Sequence, residues 1–499
     1  MWYRTTVACL LLLLIAPAAL PFALPHASAA PTTEIIVGPD DTLTWEDDEK
    51  FLEARVTIYG TMVVRNYDIT YNITQSGLVA FIVMDGGSLT FEDVTVESEN
   101  NSKYMFFKVE GQFTAKRCSI DALSGSFLDG GGIKCVGGTV KLEDTTVKDC
   151  ESMAVYALGA DASVTMENCT LTNGAYGIVA KDGATVVARN STIETFTKVG
   201  VTLNKAEASL VHCMVMPNTS VNGTTGIAAL TSELELRDTE VRYCNEDAVE
   251  LVQETTAEIV SCELHHSMVG IRMTELDGDV TINGSRIHHN LDGLNMYICA
   301  GILIEQTLLV DNTNGLSAKD CPGDGYTLRG CHIGNNTQLG AYVVGKGLHE
   351  DGTTWTDLAG HPNGVARLVQ LWTLGVHVRD SDGRNVTLAK VNVQMANGTA
   401  EANYTTDSYG NVTGGIVLEG WKVLANGTRM DAGGHKITIK SGSVTVKKTV
   451  EMVEDRNLDI TLGEVVPVSP LRTPLGWAVI ILIFVAIGCA AMYWYLRLR

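Results

Sequence analysis

Apolar and polar residues alternate over short stretches through most of the chain, and Gly, Asn and Asp break the alternation at regular intervals. Alternation of period two over a few residues marks half-buried strands, and the breaks between them are turn chemistry. The stretch from Asp279 to Gly301, DVTINGSRIHHNLDGLNMYICAG, is one unit of a recurring pattern. Its first signature is apolar-x-x-small-x-apolar, seen at Ile282, Ser285 and Ile287, at Met166, Cys169 and Leu171, and at Leu328, Cys331 and Ile333. Its second is Gly followed by an aliphatic residue: Gly177-Ile178, Gly270-Ile271, Gly293-Leu294 and Gly315-Leu316. The last residue of the first signature falls at Ile69, Val96, Ile120, Val147, Leu171, Ile193, Val215, Val241, Leu264, Ile287, Leu309 and Ile333. The gaps are 27, 24, 27, 24, 22, 22, 26, 23, 23, 22 and 24 residues. A period of that size, built from short strands, predicts a solenoid. The Leu-x-x-Leu-x-Leu frame of leucine-rich repeats is absent.

On these residues the chain resembles the right-handed parallel β-helix repeat of pectin-lyase-like and related cell-surface proteins, over roughly residues 60 to 345. The resemblance implies an all-β chain with about 12 coils over 61–350, preceded by an N-terminal cap at 31–60. A solenoid end exposes apolar core and unpaired edges, and Ile35-Ile36-Val37, Leu43, Trp45 and Phe51-Leu52 suit a cap. After Gly347 the period stops, and Trp355, Leu358 and Leu371-Trp372 are candidates to close the far end within a linker at 351–369.

From 370 to 464 the pattern becomes that of a small β-sandwich, with strands at Val376–Asp382, Ala389–Met395, Gly415–Leu418, Lys436–Lys440 and Ser443–Lys447. Its turns, Asp380-Ser381-Asp382-Gly383 and Asp407-Ser408-Tyr409-Gly410, resemble those of carboxypeptidase-regulatory-like, immunoglobulin-type stalk modules on prokaryotic, including archaeal, surface proteins. Calcium could sit at such turns, but ordinary turn chemistry explains them, and no cofactor is assigned.

Both ends read as targeting segments. Arg4, an apolar run from Val7 to Ala19 and the small-x-small site Ala27-Ser28-Ala29 predict a secretory signal over 1–30. Leu475 to Leu496 carries no charge, with Trp477 and Tyr493-Trp494-Tyr495 near its edges and Arg497 and Arg499 after it. That predicts one transmembrane helix over 475–496, following a linker at 465–474 and leaving a tail of 497–499 inside. The expectation is a single-pass type I protein of the cell membrane with its bulk outside. Asn-x-Ser/Thr sequons at Asn72, Asn100, Asn190, Asn218, Asn222, Asn335, Asn385, Asn397, Asn403, Asn411 and Asn426 suit a glycosylated exterior. Two more, Asn168 and Asn283, read as lying inside strands and unused. A net charge of −22 argues against a nucleic-acid partner and suits a solvated outer surface.

Cys118, Cys169, Cys213, Cys262 and Cys331 occupy the small position of rungs that are never neighbours, with Thr145, Ser191, Thr239, Ser285 and Thr307 on the rungs between them. Two rungs are about 9.6 Å apart, beyond the span of a disulfide, so these read as buried fillers. Cys150 and Cys244 share a column with Asn218, Asn290, Asn312 and Asn336, which reads as an inward asparagine ladder. Cys299 and Cys321 each lie five after Leu294 and Leu316, stack on adjacent coils, and are expected to form one disulfide.

No Gly-x-Ser-x-Gly, His-Glu-x-x-His, P-loop or Cys-x-x-Cys motif occurs. His265-His266 and His288-His289 stack on neighbouring rungs. With no carboxylate or third histidine fixed to them by the frame, they read as polar repeats and no metal ligand is assigned. Residues flanking the landmark should face outward: Glu240 and Arg242, Glu263 and His265, Arg286 and His288, bordered by Met214, Met216, Leu308 and Val310. This grid is the candidate ligand site, for glycan or a surface protein. Glu240 and Glu263, expected about 5 Å apart, match a retaining glycosidase pair. Yet Arg242 and Arg286 should hold both ionised, so catalysis is the alternative and binding the first reading.

Overall fold

The computed structural model describes residues 34–463 apart from 72–78, 100–104, 122, 124–131, 323–324, 345–347, 352–353, 357–365, 397–400 and 425–427. The predicted signal and membrane segments lie outside the described residues. Among those described, no helix is long and apolar enough to cross a membrane.

The chain winds as a right-handed parallel β-helix of about 13 turns. Each coil gives one strand to sheet A and, after the first three coils with their single strands Thr42–Leu52, Thr61–Tyr71 and Ser88–Ser98, two short strands to sheet B. The coil through Glu263 is representative: Thr256–Val260 and Glu263–His265 on sheet B, then Val269–Thr274 on sheet A. Its corners are the left-handed residues Ser261, His266 and Glu275, with φ of 54°, 56° and 53°. The next coil repeats this at Gly284, His289 and Ile298. Left-handed backbone costs a β-branched residue most and Asn, Asp or Gly least, which is why Asp144, Asn168, Asn190 and Asp238 fill the first corner of other coils.

The landmark column stacks in register from Ile69 to Ile333, each residue pairing with its successor. All twelve are buried. The Gly before each aliphatic on sheet A is required by space: a Cβ on Gly177 would lie 2.3 Å from Ile193 Cγ2 and 2.6 Å from the Gly200 carbonyl oxygen.

Two columns close the interior hydrogen bonds. Backbone N–H groups of Cys118, Cys169, Cys213 and Cys262 donate to the hydroxyls of Thr145, Ser191, Thr239 and Ser285 on the following rung. In the other column Ser267, Asn290 and Asn312 donate their backbone N–H to the Oδ1 of Asn290, Asn312 and Asn336, at 2.9–3.0 Å. The amides Nδ2 of Asn290, Asn312 and Asn336 donate to the carbonyls of Leu264, Ile287 and Leu309. Asn218 does not join. The register slips between Glu194 and Phe196, and Asn218 instead accepts from the Ser220 N–H in a local turn.

The ends differ from expectation. Glu34–Val37 and Thr42–Leu52 already pair in parallel with Arg55–Ile58 and Thr61–Tyr71, so 34–60 form a coil instead of a separate cap. Coil pairing likewise runs past 350, through Leu348–Asp351 and on to Thr354–Thr356 inside the expected linker. Strand Ala366–Asp380 then pairs in parallel with Leu339–Val344 and goes on to pair with Ile416–Leu424 and Arg456–Leu462. One strand therefore belongs to both the solenoid and the C-terminal unit. A second sheet of Glu401–Thr405, Lys390–Gln394, Gly434–Ser441 and Val444–Glu451 completes that unit. Leu374, Val376, Val391, Ile416, Ile437 and Ile439 form its own core. Asp380 and Asp407 each accept two backbone N–H bonds on Oδ1, from Asp382 and Arg384 and from Tyr409 and Asn411.

Asn168 is an exposed left-handed corner with φ of 53°, not a strand residue as expected, while Asn283 ends strand Val280–Asn283. Sequons Asn190, Asn222, Asn335, Asn385, Asn403 and Asn411 are exposed and Asn218 is half-buried. Asn72, Asn100, Asn397 and Asn426 lie outside the described residues.

Candidate functional site

The grid predicted on sheet B is assembled in the expected register: Glu240 pairs with Glu263, which pairs with Arg286, and Arg242 pairs with His265, which pairs with His288. Its exposure is not as expected. His265 and His288 are only 8% and 6% exposed, and Val310 at the border is also buried. The imidazoles lie face to face with centroids 4.8 Å apart and are covered by the corner residues that follow them. The acids are spent locally. Glu240 Oε1 accepts from Arg242 at 2.7 Å and meets His265 Nε2 at 3.0 Å. Glu263 Oε1 meets His288 Nε2 at 2.9 Å and Arg286 at 3.7 Å. Hydrogen bonding from His288 holds the Glu263 carboxyl below its usual range, so it is ionised and unsuited to deliver a proton. The frame thus brings a carboxylate to each of the two buried rings, which the sequence pattern did not reveal. Burial, aided by neighbouring cations, holds His266 and His288 low and therefore neutral.

A second polar surface, unrecognised in the sequence, lies on the outer side of sheet A. Glu250, Arg272 and Asn295 pair on successive rungs, each between two inward residues: Val249 and Leu251, Ile271 and Met273, Leu294 and Met296. Alternation along a strand therefore turns all three outward. Arg272 clamps the buried Asp247 through Nε at 2.7 Å and Nη2 at 2.8 Å. Asp292 accepts from Asn295 Nδ2 at 3.1 Å and Asn314 Nδ2 at 2.8 Å. Burial and the charge of Asp247 push the Glu250 carboxyl up to about 7. Burial also raises Glu246. Toward the N-terminus, Met153, Tyr156 and Val179 form an apolar cluster separate from the core, with Tyr176 against it. Toward the C-terminus, Tyr297 carries Lys319 Nζ 5.7 Å from its ring centroid. The signal that could have exposed this surface was a polar residue directly after the inward aliphatic of three consecutive sheet A strands: Val249-Glu250, Ile271-Arg272 and Leu294-Asn295.

The cysteines divide as expected, with one difference. Burial pushes Cys150 and Cys244 up to about 12 and Cys169 and Cys262 up to about 11, so these thiols are inert. Cys299 and Cys321 do lie side by side on adjacent coils, but as free thiols and not as the expected bridge. Register sets their proximity; closing the bond additionally needs an oxidant.

The class this architecture defines is the right-handed parallel β-helix. Residues 225–353 match the family described as right handed beta helix region. Among solved structures, the chain is similar to the A-module of mannuronan C-5 epimerase AlgE6 of Azotobacter vinelandii (13% identity, 63% of this chain and 90% of that one, TM-score 0.34). It is also similar to the catalytic domain of a GH87 α-1,3-glucanase (12% identity, 59% and 65%, TM-score 0.40). Tailspike protein 3 of bacteriophage CBA120 is a third (11% identity, 81% and 61%, TM-score 0.33). No curated protein sequence matches the chain.

Proposed function

We propose that this is a surface-displayed glycan-binding protein, tethered through 475–496, whose ligand lies along the outer face of sheet A. The observation that carries the reading is the outward row Glu250, Arg272 and Asn295, with Asp292 bonded to Asn295 and Tyr297 two residues further along the same strand. Carboxylate, guanidinium and amide groups on one ruled surface can satisfy vicinal hydroxyls. Tyr297, half-buried with Lys319 over its ring, adds an aromatic edge and a cation beside the row. The sheet B grid is the weaker candidate because both of its histidines, His265 and His288, are buried and stacked on each other instead of facing solvent.

A second reading, glycoside cleavage, is favoured by one observation. Glu250 is a carboxyl able to hold a proton near neutrality, which a general acid needs. A glycan array combined with a polysaccharide-degradation screen on residues 31–470 tests both. The binding reading expects a retained glycan that Asn295→Ala with Arg272→Ala releases. Retention by that double variant moves the site off sheet A, and no retention by the parent removes glycan binding. New reducing ends or unsaturated products would select the enzyme.

A further inference from the structure

Four imidazoles converge where sheet B turns toward sheet A, and their nitrogens sit in two environments. His265 Nε2 lies 3.0 Å from Glu240 Oε1, and His288 Nε2 lies 2.9 Å from Glu263 Oε1. A carboxylate can only accept, so each of these nitrogens carries a proton. In a neutral ring the opposite nitrogen is then a bare lone pair. On both rungs that Nδ1 accepts a hydrogen bond from the Nδ1–H of the next residue, His266 to His265 and His289 to His288, each at 2.6 Å. A metal ion would take the place of that shared proton once the exposed ring shifts its own proton to Nε2. The same close approach therefore recurs one rung apart, with His265 stacked on His288 at 4.8 Å and His266 on His289 at 5.0 Å.

The geometry points to a transition-metal dication site, of the zinc(II) type, formed by the Nδ1 atoms of His265, His266, His288 and His289. Imidazole suits such ions, and a carboxylate behind the coordinating ring is the usual device that fixes its tautomer and orientation. Glu240 and Glu263 occupy that place. His266 and His289 are exposed left-handed corners, so an ion enters from solvent and these two side chains can swing to complete the set. A tetrahedral zinc site has nitrogen edges of roughly 3.3 Å, so binding opens each close pair and draws the two rungs' rings together. The corner column continues to Asp311, whose carbonyl accepts from the His289 N–H, so a carboxylate-bearing residue follows on the adjoining rung. Glu263, His265 and His288 offer another donor set, with ligand atoms within 4.8 Å of one another. Arg242 and Arg286 already stand on the two carboxylates and repel a dication from that side.

The test is calorimetric titration of the chelator-stripped full chain with ZnCl2, with MgCl2 as control. The expected result is uptake of about one zinc per chain with no response to magnesium. His266→Asn with His289→Asn keeps the left-handed corners and should abolish uptake. Glu240→Gln with Glu263→Gln should weaken it by about 10- to 100-fold. Unchanged thermal unfolding of both metal-free variants separates lost ligands from lost fold. Failure of the parent to take up zinc overturns the proposal. So does full uptake by the Asn variant, or complete loss confined to the Gln variant, which would put the ion on the Nε2 side. Cobalt(II) in the site should show no thiolate charge-transfer band; such a band would instead assign the metal to the cysteines.

Discussion

Individual residues in this protein are governed by which side of a rung they occupy and by what covers them there. Glu250 is flanked by Val249 and Leu251 in the core and still loses much of its hydration, because Glu246, Asp247 and Arg272 crowd the same outer row. Its folded value of about 7 stands above the usual carboxylate value of about 4.3. A carboxyl raised on folding costs nothing while both states are protonated, and the cost accumulates as pH climbs from the unfolded value to the folded one. Glu250→Gln is therefore expected to leave the urea midpoint unchanged at pH 4 and to raise stability at pH 8 by about 1–3 kcal/mol. An equal shift at both pH values would mean that Glu250 titrates normally. Gly177 illustrates the opposite constraint, since its neighbours leave no space for even a methyl group.

At the scale of the element, a rung is a set of three short strands whose interior bonds are completed by side chains of the next rung. Asn312 is the centre of this arrangement. Its Oδ1 takes the Asn290 N–H, its Nδ2 reaches the Ile287 carbonyl, and its own N–H is taken by Asn336. Asn312→Ala leaves a donor and an acceptor buried without partners, a loss of about 2–5 kcal/mol. Urea unfolding should show that loss, whereas Asn218→Ala, outside the ladder, should change stability by less than about 0.5 kcal/mol. Equal effects at the two positions would remove the ladder as a stabilising device. The Cys and Ser/Thr column follows the same logic with smaller groups, and the hydroxyl residues between them keep its thiols at least two rungs apart.

Seen whole, the molecule is a long solenoid with one face of ion-paired side chains and another of acids, arginine and amides. The shared strand Ala366–Asp380 continues the solenoid sheet into the C-terminal unit, and Trp421 from that unit packs on the solenoid core. This covers the apolar end that a stack of rungs would otherwise expose. The proposed anchor at 475–496 lies beyond this unit. The full chain is therefore expected to partition with membranes, and protease added to intact cells should release nearly all of its mass. Full-length protein surviving that treatment would overturn the proposed topology.

The period alone determined the solenoid, because one side-chain column must remain apolar through every turn and its spacing survives in the sequence. From Ile69 to Ile333 the landmark register required nothing else. The asparagine ladder was legible for the same reason, except at Asn218, where the slip beside Phe196 could not be counted from spacing. The grid residues were also placed correctly on their rungs, but their environment was not. Burial of His265 and His288 depends on the side chains of the following corner, and the partners of Glu240 and Glu263 depend on rotamers that no spacing encodes. The sheet A row stayed hidden because its acids and Arg272 come from separate coils in no shared motif. Only stacking at strand separation brings them into one field, and that field is what lifts Glu250.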